Sequence, residues 1–182
     1  GYFLFIFVRL GNKQSMGRIR MPKTFFQNAN LLDGVNPPIP GTTVILEGNR
    51  IVEIGTGKKK VSVPTDKDQV FDLDGKTLMP GMAFCHFHVA YDNVASGQEI
   101  DLKHSPTMLT LVAAKNAELL LHCGYTIAVG AGAAHYIDVT LRDAINRKMI
   151  PGPRMMACGR DVVTTGDSVD FHPKWWNLGL EG

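Results

Sequence analysis

Over residues 21–80, short apolar runs rich in β-branched and aromatic residues are separated by turn-forming residues, which predicts a series of β-strands. The runs 43–47 and 50–54 flank Gly48-Asn49, and a two-residue turn of this type predicts a hairpin. A further hairpin is predicted at Asp74-Gly75. About four or five such strands form a small sheet, which needs a cover on its apolar face.

From Gly81 onward the pattern changes to alternating strands and helices. The apolar runs 79–89, 125–129 and 155–158 predict three strands, and longer segments with helical spacing separate them. Alternating units of this length predict an α/β fold, in which right-handed crossovers join the strands of a parallel sheet.

The two helices between these strands have recognisable ends. Ser105 and Pro106 supply an N-cap and a proline at the first helical position, and Gly124 stands where a glycine ends the helix. The apolar residues with roughly helical spacing are Leu109, Val112, Ala113, Leu119 and Leu120. Asp138 is predicted to cap a second helix that continues to about Lys148.

Two histidines interrupt the apolar run of the first strand. Side chains of a strand alternate between faces, so His86 and His88 are expected on one face, and Cys85 and Phe87 on the other. Imidazoles about 6.5–7 Å apart along one face can both turn a nitrogen onto one metal ion. His-Phe-His also occurs by accident in ordinary sheets, so the tripeptide alone leaves both interpretations open.

Five segments, in the order 71–81, 84–88, 124–126, 141–145 and 150–154, carry a family resemblance. Together they resemble the amidohydrolase superfamily, in its imidazolonepropionase-like and prolidase-like branch. The resemblance implies the N-terminal part of a (β/α)8 TIM barrel, with about three strand–helix units, preceded by a small β-sandwich-type domain.

The same resemblance divides the chain into three parts. Residues 1–20 are an N-terminal extension, 21–80 the small β-sheet domain, and 81–182 a partial metal-dependent hydrolase barrel. A complete barrel takes about 250 residues, so the chain is expected to be the front part of a longer enzyme. Because a part barrel exposes unpaired strand edges, we expect the isolated chain to be unstable or to associate.

In the resembled family the first barrel strand ends in His-x-His, which implies that His86 and His88 bind a divalent metal. Zinc is the expected metal, with one or two ions per site. Relatives complete the site with a lysine, two histidines and an aspartate from later strands, so no catalytic residue is identifiable in this chain. His135, Asp170 and His172 are candidates for substrate contact, against the alternative that they are plain loop or surface residues.

The other histidines and one departure from the family limit what can be transferred. His104 comes just before the first helix, on the expected active side, and His122 ends that helix on the opposite side, where a cation suits the helix dipole. Ala128-Val129-Gly130 stands where relatives often carry an arginine and an aspartate. Their loss weakens the transfer of a particular substrate specificity.

Charge, cysteine content and the first residues bear on partners and location. A net charge of +2 gives no reason to expect nucleic acid as a partner. The apolar run 2–8 is far shorter than the roughly 20 residues that span a bilayer, and is interpreted as a non-native extension or an added edge strand, with a degraded signal or anchor as the alternative.

Cys85, Cys123 and Cys158 are odd in number and widely spaced, which favours reduced, buried thiols. A cytoplasmic location is favoured, and a secreted or periplasmic one stays open.

Two functional hypotheses follow from the resemblance. The first is a metal-dependent amidohydrolase that cleaves a C–N bond in an amide, a cyclic amide or an Xaa-Pro-type dipeptide, with a small molecule or dipeptide as substrate and a homo-oligomer expected for the full-length enzyme. The second is a catalytically incompetent metal-binding or interaction module with the same fold. Metal binding without turnover would favour the second.

Overall fold

A computed structural model gives the structure of the chain, and the residues it describes are 4–6, 21–57, 59–96, 99, 104–160 and 164. The chain divides into two compact units, Gly1–Met82 and Ala83–Gly182. Each unit has its own sheet.

The first unit is a six-stranded mixed sheet. Its strands are β1 (Leu4–Ile6), β2 (Lys23–Leu31), β3 (Ile39–Glu47), β4 (Arg50–Gly55), β5 (Gln69–Asp72) and β6 (Thr77–Pro80). The order is β1-β6-β2-β3-β4, and β5 also pairs with β2. Within the described part of residues 1–20, β1 is an added edge strand that runs parallel to β6.

The hairpin predicted at Gly48-Asn49 is confirmed. β3 and β4 are antiparallel, and Glu47 lies opposite Arg50 across the two-residue turn. Gly48 has a φ of +60°, a left-handed conformation that glycine adopts without steric cost. The turn sets the register beside it, and an irregularity between Ile45 and Leu46 shifts the register farther along the pair.

The second predicted hairpin, at Asp74-Gly75, is wrong. β5 and β6 both run parallel to β2, with Phe71 opposite Phe26. The backbone N–H of Gly75 donates to the carbonyl of Asn28 at 2.8 Å, so pairing with β2 continues through the turn. Asn28 is itself left-handed, with a φ of +56°, at a register shift in β2. The turn therefore connects two strands that both pair with β2, instead of two strands that pair with each other.

One apolar cluster holds this sheet together. Its buried members are Phe26, Ala29, Leu31, Val44, Leu46, Leu73 and Leu78. They come from β2, β3 and β6 and from the turn before β6. The second layer of the predicted sandwich stays a prediction.

The second unit alternates strands and helices. In order it contains β7 (Met82–Phe87), α1 (Pro106–His122), β8 (Tyr125–Gly130), a 3-10 turn (Ala134–Tyr136), α2 (Ile137–Asn146) and β9 (Arg154–Met156). β8 lies between β7 and β9 and is parallel to β9. A mixed α/β architecture is thus confirmed, and the number of barrel units stays a prediction.

The predicted ends of α1 are confirmed. Ser105 is the N-cap and accepts a hydrogen bond from the backbone N–H of Met108 at 3.4 Å, with Pro106 at the first position. Cys123 is the C-cap, and Gly124 follows with a φ of +88°. These ends depend on local chemistry, which is why the sequence predicts them.

One apolar position of α1 differs from the prediction. The buried residues are Leu109, Ala113 and Ala117, four apart, whereas Leu119 is 55% exposed. Leu119 follows Ala117 by two positions, which corresponds to a rotation of about 200° in a helix with 3.6 residues per turn. Leu119 therefore points away from the core, and spacing alone did not distinguish the two faces.

Asp138 does not cap the second helix, so that prediction is wrong. The N-cap is Tyr136, which is left-handed and makes no side-chain cap hydrogen bond, and the helix ends at Asn146. Asp138 is the second residue of α2 and is fully buried. Its carboxylate is used elsewhere, because it accepts hydrogen bonds from Cys158 and Gly159 after β9.

The three cysteines are free, as predicted, but all three are exposed, so the expected burial is wrong. Cys123 is the C-cap of α1, and Cys158 lies shortly after the end of β9. Cys85 lies on a part of β7 that the described residues leave uncovered.

Neither α1 nor α2, the helices of the described residues, combines the length and apolar content needed to cross a bilayer.

Candidate metal centre

The end of β7 brings two imidazoles together. Phe87 is 6% exposed and Val89 is fully buried, so the two residues anchor the backbone in the apolar cluster of the second unit. His86 and His88 alternate with them and lie toward solvent, His86 exposed and His88 half-buried. Strand alternation thus places both imidazoles on one side of the chain.

The two rings converge through equivalent nitrogen atoms. The Nε2 atoms of His86 and His88 are 3.1 Å apart, and the ring planes are inclined by 78°. Two nitrogens at this separation, each about 2.0–2.1 Å from one ion, would subtend an angle of about 98° at it. The donor pair therefore fits two positions of a single metal ion. The same distance also suits a hydrogen bond between neutral imidazoles of opposite tautomers.

Two residues that the sequence did not single out contact His88 or the segment that follows it. The ring of Tyr91 stacks on that of His88, with centroids 4.4 Å apart and planes 13° from parallel. The side-chain amide of Asn116, on α1, donates to the carbonyls of Val89 and Tyr91 at 3.0 and 2.9 Å. Asn116 lies between the buried residues Ala113 and Ala117 of α1, and a polar amide so close to the packed face of a helix was the sequence signal that could have identified it. No local sequence pattern pointed to Tyr91.

The site lies at the carboxyl edge of the three-stranded sheet. The backbone N–H of Ala131, just after β8, donates to the carbonyl of Phe87, the last residue of β7, at 3.1 Å. The backbone N–H of Ala133 donates to the carbonyl of Gly159, after β9, at 2.8 Å. All three strands thus end at one edge, which is where parallel α/β sheets carry their sites.

The loops at this edge are tied to one another. Oδ2 of Asp138 accepts from the backbone nitrogens of Cys158 and Gly159 at 2.8 and 2.9 Å. The guanidinium of Arg160 lies 5.4 Å from the centre of the Tyr136 ring, within cation–π range. These contacts join the loop after β8 to the loop after β9.

The other predicted site residues do not join the pair within the part of the chain that is described. No group of three or more His, Cys, Asp or Glu side chains there is arranged to hold a metal ion. His135 is exposed in the 3-10 turn, with a φ of +55°. Asp170 and His172 lie outside the described residues.

His104 and His122, which the sequence analysis did not propose as site residues, lie at the two ends of α1. His122 is the last residue of α1, as predicted, and its side chain is 75% exposed, with Nε2 3.9 Å from a carboxylate oxygen of Glu118. His104 precedes the N-cap of α1 and is half-buried. Neither contributes to the pair at the end of β7.

Several solved structures that are similar in fold to this chain are described as hydrolases. A prolidase complexed with N-methylphosphonate-L-proline matches with a TM-score of 0.68 and 29% sequence identity, over 84% of this chain and 35% of that chain. A Xaa-Pro dipeptidase with bound methionine in the active site matches with a TM-score of 0.69 and 27% identity, over 84% of this chain and 39% of that chain. Phenylurea hydrolase B matches with a TM-score of 0.62 and 26% identity, over 77% of this chain and 31% of that chain.

Comparison with protein-family models gives no match, and neither does comparison with curated proteins. The chain spans about a third of the length of the solved structures described above. These structures bear out the resemblance carried by the sequence motifs: the chain is amidohydrolase-like.

Proposed function

We propose that the chain contributes to a metal-dependent hydrolase that cleaves a C–N bond, with His86 and His88 as two of the metal ligands. The observation that carries the proposal is the 3.1 Å separation of their Nε2 atoms at the carboxyl end of β7. The relatedness in fold to prolidase and amidohydrolase structures supports the reaction class. It also supports a barrel to which residues 81–182 contribute the first strands.

In this proposal the two histidines bind as neutral imidazoles, each through the lone pair of its Nε2 atom, and these two atoms lie 3.1 Å apart. A divalent ion held there, with zinc expected and one or two ions per site, would activate water and polarise a carbonyl oxygen. Catalytic zinc usually has three protein ligands, and by the family resemblance we assign the further ligands and the general base to a lysine, two histidines and an aspartate of later barrel strands.

The substrate class follows from the proteins that share the fold. A prolidase and a Xaa-Pro dipeptidase point to an Xaa-Pro-type dipeptide, and the phenylurea hydrolase points to other amide-like C–N bonds. We therefore propose a small amide, cyclic amide or Xaa-Pro dipeptide as substrate. His135, in the 3-10 turn after β8, is proposed to contact it, and so are Asp170 and His172, which lie outside the described residues.

The test separates metal binding from hydrolysis. Zn²⁺ and Co²⁺ are titrated into the chain, and release of amino acid from a panel of Xaa-Pro dipeptides is followed. His86→Ala and His88→Ala are expected to abolish tight metal binding and any hydrolysis. His122→Ala, an exposed histidine at a helix end, is the matched control and should bind metal as the wild type does. Equal metal binding in all three variants would contradict the proposal.

Metal binding without hydrolysis is the second candidate function. It is favoured by the arrangement of the described residues, in which only two ligand side chains converge. A chain that binds Zn²⁺ through His86 and His88 but releases no amino acid from any dipeptide would support this second function over the first.

A further inference from the structure

The segment that follows the histidine pair is fixed to α1 by a single side chain. Asn116 donates both hydrogens of its amide nitrogen, one to the carbonyl of Val89 and one to that of Tyr91. Val89 is fully buried and Ala90 is 8% exposed, so the segment is also anchored in the apolar cluster. The backbone after His88 is thus held on both sides.

The aromatic ring carried by this segment returns to the histidine. Tyr91 comes three residues after His88, and its backbone N–H donates to the carbonyl of His88 at 3.4 Å, closing a turn. The turn places the Tyr91 ring parallel to the His88 ring at 4.4 Å. A parallel ring at this distance restricts rotation of the imidazole about its χ2 angle, because turning it would break the stack.

We propose that Asn116 and Tyr91 are positioning residues, which orient the His88 imidazole so that its Nε2 atom faces that of His86 before a metal binds. This inference rests on the proposed function of the histidine pair. Neither residue has an atom assigned to metal ligation. Asn116 acts through the backbone of residues 89–91, and Tyr91 acts through ring stacking.

The energetic reason is that a flexible ligand loses conformational freedom when it binds. A histidine whose ring is already aimed at its partner loses less, so its affinity for the ion is greater. Outer contacts that orient metal-binding histidines typically contribute about 10–100-fold in metal affinity. We expect Asn116 and Tyr91 to have effects within this range.

The first test uses a matched pair at Tyr91, which is 45% exposed and can be replaced with little effect on the core. Tyr91→Phe keeps the ring and should bind Zn²⁺ and Co²⁺ as the wild type does. Tyr91→Leu removes the ring and should raise the dissociation constant about 10-fold or more. The visible spectrum of bound Co²⁺, which reports ligand geometry, should change in Tyr91→Leu and be retained in Tyr91→Phe.

The second test uses Asn116→Asp, which has the same shape but only accepts hydrogen bonds, so the carbonyls of Val89 and Tyr91 lose their donor. Its dissociation constant for Zn²⁺ should also rise about 10–100-fold. Lys115→Gln, at the exposed neighbouring position of α1, is the control and should leave the constant unchanged. Where Asn116→Asp fails to fold, the Tyr91 pair decides.

The two proposals fail in different ways. Loss of metal binding in His86→Ala and His88→Ala, with unchanged dissociation constants in Tyr91→Leu and Asn116→Asp, would overturn the positioning role and leave the proposed function standing. Metal binding that survives in His86→Ala and His88→Ala would overturn both. A weakened Tyr91→Leu beside a wild-type Tyr91→Phe supports the positioning role.

Discussion

Oδ2 of Asp138 lies 2.8 Å from the backbone nitrogen of Cys158, so a carboxylate on α2 holds the start of the loop after β9. The same oxygen accepts from the backbone nitrogen of Gly159 at 2.9 Å, and Oδ1 accepts from that of Val139 at 2.8 Å. Asp138 is fully buried. One side chain therefore satisfies three backbone donors where two loops of the candidate site meet.

Asp138→Ala should strongly destabilise the protein. The substitution leaves the N–H groups of Cys158 and Gly159 without their acceptor, and an unsatisfied buried donor costs about 1–3 kcal/mol. We expect the free energy of unfolding to fall by roughly 2–4 kcal/mol, measured by urea denaturation. Asp143→Ala, on the same helix but half exposed beside Arg142, is the control and should cost less than about 1 kcal/mol. Equal losses in the two variants would contradict the role of Asp138.

Gly152→Ala should be destabilising because of one neighbour. A methyl group at Gly152 would lie 2.7 Å from Cγ1 of Ile145 and would overlap its Cδ1. Overpacking of this kind costs about 1–3 kcal/mol. In a double-mutant cycle measured by urea denaturation, Gly152→Ala should cost clearly less in an Ile145→Ala background, where the space is open. Additive losses would show that Ile145 is not the obstacle.

Asn28 should tolerate glycine better than alanine. Its φ is +56°, and the left-handed conformation costs a residue with a Cβ roughly 1–2 kcal/mol. Both variants lose the hydrogen bond from Nδ2 to Oδ1 of Asp72 at 3.0 Å, so their difference isolates the backbone term. We expect Asn28→Ala to be less stable than Asn28→Gly by about 1 kcal/mol in thermal or urea unfolding. Equal stability would rule out a backbone cost at this position.

The same two variants should raise the pKa of Asp72. That pKa is lowered first by the hydrogen bond from the backbone N–H of Asp74 and second by the side chain of Asn28. Only the second is removed, so the pKa should rise and remain below its usual value of 3.8. Carboxyl chemical shifts followed by NMR across an acid titration measure it.

Asp33 should titrate unusually low. Its pKa falls from 3.8 to about 2, first because of the backbone N–H of Asn36, then the Asn36 side chain and the backbone N–H of Val35. A lowered folded pKa stabilises the protein above pH 3.8, and this contribution is lost as the pH falls from 3.8 toward 2.

An NMR titration with two variants tests the cause of the Asp33 shift. Asn36→Ala keeps the backbone donors and removes one side-chain donor, so the pKa of Asp33 should rise part of the way. Val35→Ala changes an exposed side chain and keeps its backbone donor, so that pKa should stay low. An unchanged pKa in Asn36→Ala would contradict the proposed contribution of the side-chain amide.

Features that depend on neighbours in the chain were predictable. The turn at Gly48-Asn49 and the ends of α1 at Ser105 and Gly124 follow from backbone conformations that a few adjacent residues favour. The placement of His86 and His88 on one side of the chain belongs to the same class, because it follows from the two-residue period of an extended chain. The tripeptide alone left an ordinary sheet as the alternative, and the family resemblance of the surrounding segments made the two histidines the candidate metal ligands.

Features that depend on distant partners were not predictable. The sequence around Asp74-Gly75 is suited to a hairpin. No hairpin forms there, because β5 and β6 both pair with β2, more than forty positions earlier in the chain. Asp138 has the chemistry of a helix cap, and only the approach of the loop after β9 made it a buried acceptor. In each case hydrogen bonds to a distant part of the chain decided the outcome, although the local turn bond from the N–H of Lys76 to the carbonyl of Leu73 also forms, at 2.8 Å.

The sequence by itself determined the strand that carries the histidine pair, the alternation of strands and helices after it, and the family resemblance. The tertiary structure decided which side chains surround the pair. Asn116 lies 27 positions beyond Val89 in the chain and reaches it only because α1 packs against the sheet. Periodicity fixes which way a side chain points, but only packing brings together residues from different elements.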